Sequence, residues 1–113
     1  LAKIARPEGP VSKPNNGGFS LKDELRWDES SYRTMQNTIH VLCRQYFDLA
    51  LPYVDQDPDV MARFCYAARE QFPVLARYED FWPAESFATV YLKNTSQEAR
   101  RRERSAVPES TGI

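Results

Sequence analysis

An all-α fold is predicted by three features of the sequence. Apolar residues recur every three or four positions, capping residues precede these runs, and no stretch shows strand alternation bounded by hairpin turns. With 113 residues, six Phe, six Tyr and two Trp, the chain can build one small core. We therefore expect a small helical bundle of three principal helices plus short helical turns, with disordered N- and C-terminal tails. The predicted limits are a flexible linker at 1–18, an α-helical domain at 19–104 and a flexible tail at 105–113.

The opening segment has the composition of a linker. It contains Pro7, Pro10, Pro14 and the pair Gly17-Gly18, with little periodic apolar content. Such a segment buries too little surface to offset its ordering entropy, so we expect it to be flexible. Because the chain begins at Leu1 with this segment, we also expect the domain to belong to a longer protein.

Two helices are predicted in the first half of the domain. Ser20 is a candidate N-cap for a short helix that carries Leu21 and Leu25, and Asp28 is one for a helix over about 29–50. One apolar stripe marks the second helix, at spacings of three and four: Tyr32, Met35, Ile39, Leu42, Tyr46 and Leu49. Pro52 should end it.

The second half predicts another long helix, a compact connection and a final helix. Asp57-Pro58 opens the third helix, which should end at Phe72 before Pro73. The following segment, FPVLARYEDFWP, is expected to form short helical turns that fill the core, and Asp80 is the candidate cap of the last helix. The predicted core side chains are Trp27, Tyr32, Met35, Ile39, Leu42, Phe47, Phe64, Phe72, Leu75, Phe81, Trp82, Phe87 and Tyr91.

Charge is segregated along the chain although its total is only −1. From Lys93 to Arg104 five basic and two acidic residues give a local +3, so the remainder carries −4. A near-neutral chain has no overall attraction to polyanions or to anionic membranes, so any such preference must come from this segment. No apolar run approaches the ~20 residues of a membrane span, and we expect no membrane partner.

The basic segment is the candidate functional site. Its cations are mostly arginines, which bind phosphate bidentately, and its polar residues can contact backbone or base edges. Two other interpretations stay open: a solvated helix end favoured by the helix dipole, and a nuclear targeting signal. The predicted nucleic-acid-binding residues are Lys93, Asn94, Gln97, Arg100, Arg101, Arg102 and Arg104.

Catalytic patterns are weak. The chain has no Gly-rich phosphate loop after a strand, and no nucleophile triad accompanies its one histidine. Glu79, Asp80 and Glu85 lie beside aromatic residues, but acids are the default at a helix start. We predict no enzyme, no cofactor and no small-molecule substrate.

Metal binding is also not expected. His40 and Cys43 share a helix face and Cys65 can approach, yet a fourth ligand for zinc is lacking. Alternating aspartates at 55, 57 and 59 lack the Gly and closing Glu of a calcium loop. Two cysteines are too few for a disulfide scaffold, so we expect a reducing compartment, nucleus or cytosol.

The segments LKDELRWDESSYRTMQNTIHVLCRQYFD, FPVLARYEDFWP and YLKNTSQEARRR, with a DQDP step after the first, resemble a family of uncharacterised helical proteins from basidiomycete fungi. The resemblance covers about 19–104 and implies a helical domain whose last helix ends in basic residues; no established activity comes with it. A weaker likeness is to homeodomain-type three-helix folds. The long second helix and the lack of a WFQNR-like motif depart from that pattern.

The sequence therefore predicts a nucleic-acid-binding domain, with DNA as the favoured nucleic acid, of a larger nuclear protein. The alternative is a helical protein–protein interaction module without nucleic-acid activity, suggested by the linker-like ends and the many aromatic residues.

Overall fold

The computed structural model describes residues 3–13, 15 and 17–111, with side chains through residue 104. Three 3₁₀ segments connect its helices, at Tyr53–Asp55, Pro73–Arg77 and Glu79–Phe81. Across this described part there are isolated β-bridges but no β-strand, which confirms the predicted all-α bundle of three principal helices and short turns. The four α-helices are α1 (Leu21–Leu25), α2 (Glu29–Tyr46), α3 (Pro58–Gln71) and α4 (Trp82–Thr111).

The caps predicted for the second and third helices, Asp28 and Asp57, are both present. The Asp28 carboxylate accepts hydrogen bonds from the Ser31 N–H at 3.0 Å and from the Ser31 hydroxyl at 2.7 Å. The Asp57 carboxylate accepts from the Asp59 N–H at 2.8 Å, and Pro58 occupies the first helical position. These bonds satisfy backbone donors that have no partner inside the helix. Ser20, in contrast, makes no capping bond at the start of α1.

The end of α2 differs from the prediction. The helix stops at Tyr46 rather than at about Ala50, because Phe47 adopts an extended backbone and turns its ring into the core, 4.7 Å from the ring of Phe64. Beyond it, the buried amide of Gln56 stands in for helical backbone partners. Its Nε2 donates to the Asp48 carbonyl at 2.7 Å and to the Leu51 carbonyl at 3.1 Å, and its Oε1 accepts from the Asp48 N–H at 3.1 Å.

The core lies between α2, α3, α4 and the 3₁₀ segment at Pro73–Arg77. Phe64 and Leu75 are fully buried at its centre. Of the predicted core side chains, these are buried: Met35, Ile39, Leu42, Phe47, Phe64, Leu75, Trp82 and Phe87. The others are half-buried and pack against them: Trp27, Tyr32, Phe72, Phe81 and Tyr91.

Helix α4 starts at the core and continues far beyond it. Asp80 does not cap it, since its backbone is left-handed with φ 50° and the helix begins two positions later at Trp82. Among the side chains described through residue 104, the last large buried one is Leu92. The backbone nevertheless stays helical to Thr111, because an anchored helix propagates without a new nucleation cost. Much of the predicted flexible tail at 105–113 is thus helical, and residues 112–113 lie outside the described residues. None of the described helices has the length and apolar character that crossing a membrane requires.

The N-terminal segment, predicted as a flexible linker, lies against the core over its described residues. The Ile4 N–H donates to the Arg77 carbonyl at 2.8 Å, and the Ile4 carbonyl accepts from the Glu79 N–H at 2.9 Å and from Trp82 Nε1 at 3.0 Å. Farther along, Val11 is buried. Backbone hydrogen bonds to the 3₁₀ segments therefore hold this part of the chain. Such bonds form without any periodic pattern of apolar side chains, so the sequence gives no sign of them.

The described residues 10–13, 15 and 17–19, here called the N-terminal loop, close on themselves. The Ser12 N–H donates to the Phe19 carbonyl at 2.7 Å, the Phe19 N–H to the Pro10 carbonyl at 3.2 Å, and the Gly18 N–H to the Lys13 carbonyl at 3.0 Å. A Cβ atom on Gly18 would lie 1.9 Å from the Pro10 carbonyl oxygen, so only glycine permits this closure. The loop consequently holds Lys13 beside α4.

Candidate nucleic-acid interface

Five of the predicted site residues form one exposed face of α4. At about 100° per residue, Lys93, Gln97, Arg100, Arg101 and Arg104 fall within an arc of about 100°. All five are exposed, whereas Ser96 and Leu92, which follow the arc on the Arg100 side, are buried. Along the axis the face runs about 16 Å from Lys93 to Arg104. We call these five residues the basic face.

The remaining two predicted residues lie elsewhere on the helix. Asn94 borders the basic face and is exposed. Arg102 points to about the opposite side of α4, where it lines a groove with Leu49 and Ala50. A ligand lying along the basic face would therefore not reach Arg102.

One carboxylate, that of Glu98, interacts with two of the arginines. Its oxygens lie 3.2 Å from Arg101 Nη2 and 3.6 Å from Arg102 Nε. Both arginine side chains remain 72% and 80% exposed, so water screens these pairs and each contributes only about 0.3–0.5 kcal/mol. Among side chains described through residue 104, no ion pair joins Lys93, Arg100 or Arg104 to a carboxylate. The positive charge of the basic face is thus largely uncompensated.

The N-terminal loop extends this positive surface. A groove of about 510 Å³ runs between the loop and α4, and no acidic residue lines it. Three cations do: Arg6, Lys13 and Lys93. The Arg6 guanidinium lies 5.2 Å over the ring of buried Phe19, which fixes its position.

Lys13 lies close enough to Lys93 to affect the pKa of the Lys93 ammonium. The neighbouring Lys13 ammonium lowers the pKa of Lys93 from its ordinary value of 10.5, by direct contact of the two groups and by charge repulsion. Two like charges held together without a carboxylate form a local site that favours an anion.

We expect Lys13→Ala to raise the pKa of Lys93 towards 10.5, because the repelling charge is removed. A lowered pKa in the folded state means that the unfolded chain binds more protons between that pKa and 10.5, so wild-type stability should rise with pH through this window. The variant should show a smaller rise. NMR titration of the lysine side-chain signals measures the pKa directly, with Lys3→Ala as control. An unchanged Lys93 pKa in Lys13→Ala would show that the two groups do not interact.

The residues considered for a metal site have other partners. His40 stacks on the Tyr91 ring at 4.2 Å, and the Tyr91 hydroxyl accepts from Arg44 Nη1 at 3.2 Å. Cys43 is fully buried, and burial raises the pKa of its thiol to about 12. Within the described residues, no three His, Cys, Asp or Glu side chains come together to hold an ion.

Arg6 and Lys13 were missed by the sequence reasoning. They occur in a proline- and glycine-rich stretch without helical periodicity, far from α4 in sequence. The one sequence signal is the Gly17-Gly18 pair, because Gly17 adopts a left-handed backbone with φ 79° and Gly18 permits the close backbone approach that closes the loop. That signal predicts a tight turn but not the surface against which the turn lies.

The chain matches no protein-family model, no curated protein and no solved structure. Membership of the basidiomycete family consequently stays a prediction.

Proposed function

We propose that the chain is a nucleic-acid-binding domain of a larger nuclear protein, with duplex DNA as its ligand. The observation that carries this proposal is the one-sided arrangement of Lys93, Arg100, Arg101 and Arg104 on an exposed helix, with little carboxylate compensation. Cations in this arrangement neutralise phosphates and release condensed counterions, which is the main source of affinity in non-specific DNA binding.

The dimensions of the basic face fit a phosphate backbone. Its length of about 16 Å corresponds to roughly five nucleotides of one strand, at about 3.4 Å of axial rise each. Guanidinium groups form bidentate bonds to phosphate oxygens, and Gln97 lies among them as an uncharged hydrogen-bonding group. Contacts of this kind position a duplex and carry little sequence information.

The helix dipole accounts less well for the same residues. Its effect falls off within the last turn, whereas α4 continues to Thr111, two turns beyond the last arginine at 104. The dipole also gives no reason for the cations to share one side of the helix. A nuclear targeting role for the arginine run is compatible with the proposal.

The alternative function, a helical protein–protein interaction module, has less support. Such a module usually presents aromatic side chains in a cluster. Among the described residues, Tyr66 is the one aromatic side chain that is largely exposed, at 63%. The other large exposed hydrophobic residues are aliphatic: Ile4, Val41, Leu51, Val54 and Val74.

Titration of a short DNA duplex over a salt series tests the proposed function. Four phosphate contacts along the basic face predict a slope of log K against log salt concentration near −3.6, at about 0.9 per phosphate. The variant Arg100→Ala/Arg101→Ala/Arg104→Ala should bind about 100-fold or more weakly, with a slope near −0.9, since bonds to charged groups contribute about 1.5–3 kcal/mol before screening.

A matched control separates the basic face from net charge. The variant Arg33→Ala/Arg63→Ala/Arg102→Ala removes the same charge from exposed positions off the face and should keep the wild-type slope. If both variants lose the same duplex affinity, binding depends on net charge and not on the basic face. Unchanged binding by the Arg100/Arg101/Arg104 variant would end the proposal, and tighter binding of an RNA duplex would replace DNA with RNA.

A further inference from the structure

We propose that the groove between the N-terminal loop and α4 is a phosphate site, in which Lys13 and Lys93 together bind one backbone phosphate of the nucleic acid. This inference rests on the proposed function and adds a second element of the chain to the interface. We call the groove the loop–helix phosphate site.

The polar groups of this groove suit a phosphate. Besides the two lysines, it presents the Arg6 guanidinium, the Ser12 hydroxyl and the Asn94 amide, while the Thr89 hydroxyl in its lining donates to the Glu85 carbonyl at 2.8 Å. Its apolar lining, Val11 and Val90, lies on the same two elements. Several donors without a lining carboxylate match the acceptor-only oxygens of a phosphate diester.

The site is held in place before any ligand arrives. Three backbone hydrogen bonds close the N-terminal loop, and Gly18 permits the close approach that these bonds need. At the other side, Lys93 projects from a helix anchored by buried Leu92. Preorganised donors reduce the ordering cost of binding.

The free molecule holds two ammonium groups together against their repulsion. The Lys13 ammonium lowers the pKa of Lys93 through this repulsion. A bound phosphate carries the opposite charge and removes the repulsion. The close approach of Lys13 to Lys93 is thus unfavourable in the free protein but contributes to binding when a phosphate is present.

Lys93 also belongs to the basic face, so the loop–helix phosphate site forms one end of that face, beside the globule. Arg104 lies about 16 Å farther along α4. A phosphate fixed between the loop and the helix would set the position of the duplex along the arginines. The expected role of the N-terminal loop is therefore to set the register of the ligand.

Salt-dependent duplex binding by single lysine variants and a triple variant tests the shared phosphate. Lys13→Ala and Lys93→Ala should each weaken binding about five- to tenfold without changing the slope, because the other lysine still neutralises the same phosphate. The triple variant Arg6→Ala/Lys13→Ala/Lys93→Ala, which removes every cation that lines the groove, should lower the slope by about 0.9. Arg104→Ala, which removes a separate contact, should lower the slope by about 0.9 as a single change.

Lys3→Ala is the control, since Lys3 is exposed in the same segment and does not line the groove. It should bind like the wild type. If Lys13→Ala also binds like the wild type, or if each lysine alone lowers the slope by about 0.9, the shared phosphate is wrong. Circular dichroism of each variant checks that the helices are intact.

The two proposals fail in different ways. Loss of duplex binding in the Arg100/Arg101/Arg104 variant, with no effect of Lys13→Ala, overturns the loop–helix site and leaves the proposed function standing. An NMR titration with pyrophosphate covers the opposite case. Signal shifts at Lys13 and Lys93, in a protein that binds no duplex, would indicate an anion site for another ligand and overturn the nucleic-acid assignment.

Discussion

Replacing Phe64 with alanine should lower the free energy of unfolding by about 3–5 kcal/mol. The ring is fully buried on the inner face of α3 and lies 4.7 Å from the ring of Phe47, where the chain leaves α2. Truncation removes its transfer free energy and leaves a cavity that α2, α3 and α4 cannot close without moving. Urea unfolding followed by tryptophan fluorescence and by circular dichroism measures the loss.

Tyr66→Ala on the same helix is the matched control. Its side chain is 63% exposed, so its truncation should change the free energy of unfolding by no more than about 0.5 kcal/mol. Similar losses at the two positions would contradict the placement of the core on the Phe64 side of α3.

Trp82→Ala should cost a comparable amount, about 3–5 kcal/mol, and should also release the N-terminal segment. The buried indole packs edge-on against Phe19 at 5.9 Å and Tyr78 at 5.4 Å, and its Nε1 donates to the Ile4 carbonyl at 3.0 Å. Amide hydrogen exchange reports the release. The Ile4 amide, bonded to Arg77, should lose its protection in this variant at a denaturant concentration where the helices keep theirs.

Trp82→Phe separates the two roles of the indole. It keeps a ring against Phe19 and Tyr78 but removes the N–H, and the Ile4 carbonyl still accepts from the Glu79 N–H at 2.9 Å. We expect a loss of about 1–2 kcal/mol, with the N-terminal segment still protected. A segment that is equally exposed in wild type and Trp82→Ala would show that the indole does not hold it.

Local features of this fold could be predicted from the sequence because their causes are local. Asp28 and Asp57 cap the helices that immediately follow them, and Pro73 stops α3 at its neighbour. The apolar stripe of α2 could also be predicted, since residues spaced three and four apart lie on one face of a helix. These signals were sufficient to predict the all-α bundle.

Features that depend on distant partners could not be predicted. The early end of α2 depends on the Phe47 ring meeting Phe64 and on the Gln56 amide, and neither contact leaves a periodic pattern. The attachment of the N-terminal segment depends on bonds from Ile4 to residues more than seventy positions away. The composition of a segment indicates how much apolar surface it can bury. It does not indicate which backbone N–H and C=O groups elsewhere in the chain lack a hydrogen-bond partner.

The candidate site divides in the same way. The arginine run and its place at the polar end of a helix were visible in the sequence. The separation of Arg102 from the other cations also follows from helical geometry at about 100° per residue, whereas the approach of Lys13 follows from a loop closure that spacing does not encode. Of the two lysines in the proposed phosphate site, Lys93 could be predicted from the sequence and Lys13 could not.

The connection between α2 and α3 has a consequence for sequence variation. The Gln56 amide bonds two carbonyls and one N–H of the reversing chain, whereas its exposed neighbours Val54 and Asp55 have little structural constraint. Glutamate at position 56 would bring a carboxylate to two carbonyl oxygens and lose both donated bonds. Substitution should therefore be tolerated at the exposed positions of this connection, but not at Gln56 or at the buried Phe47 and Tyr53.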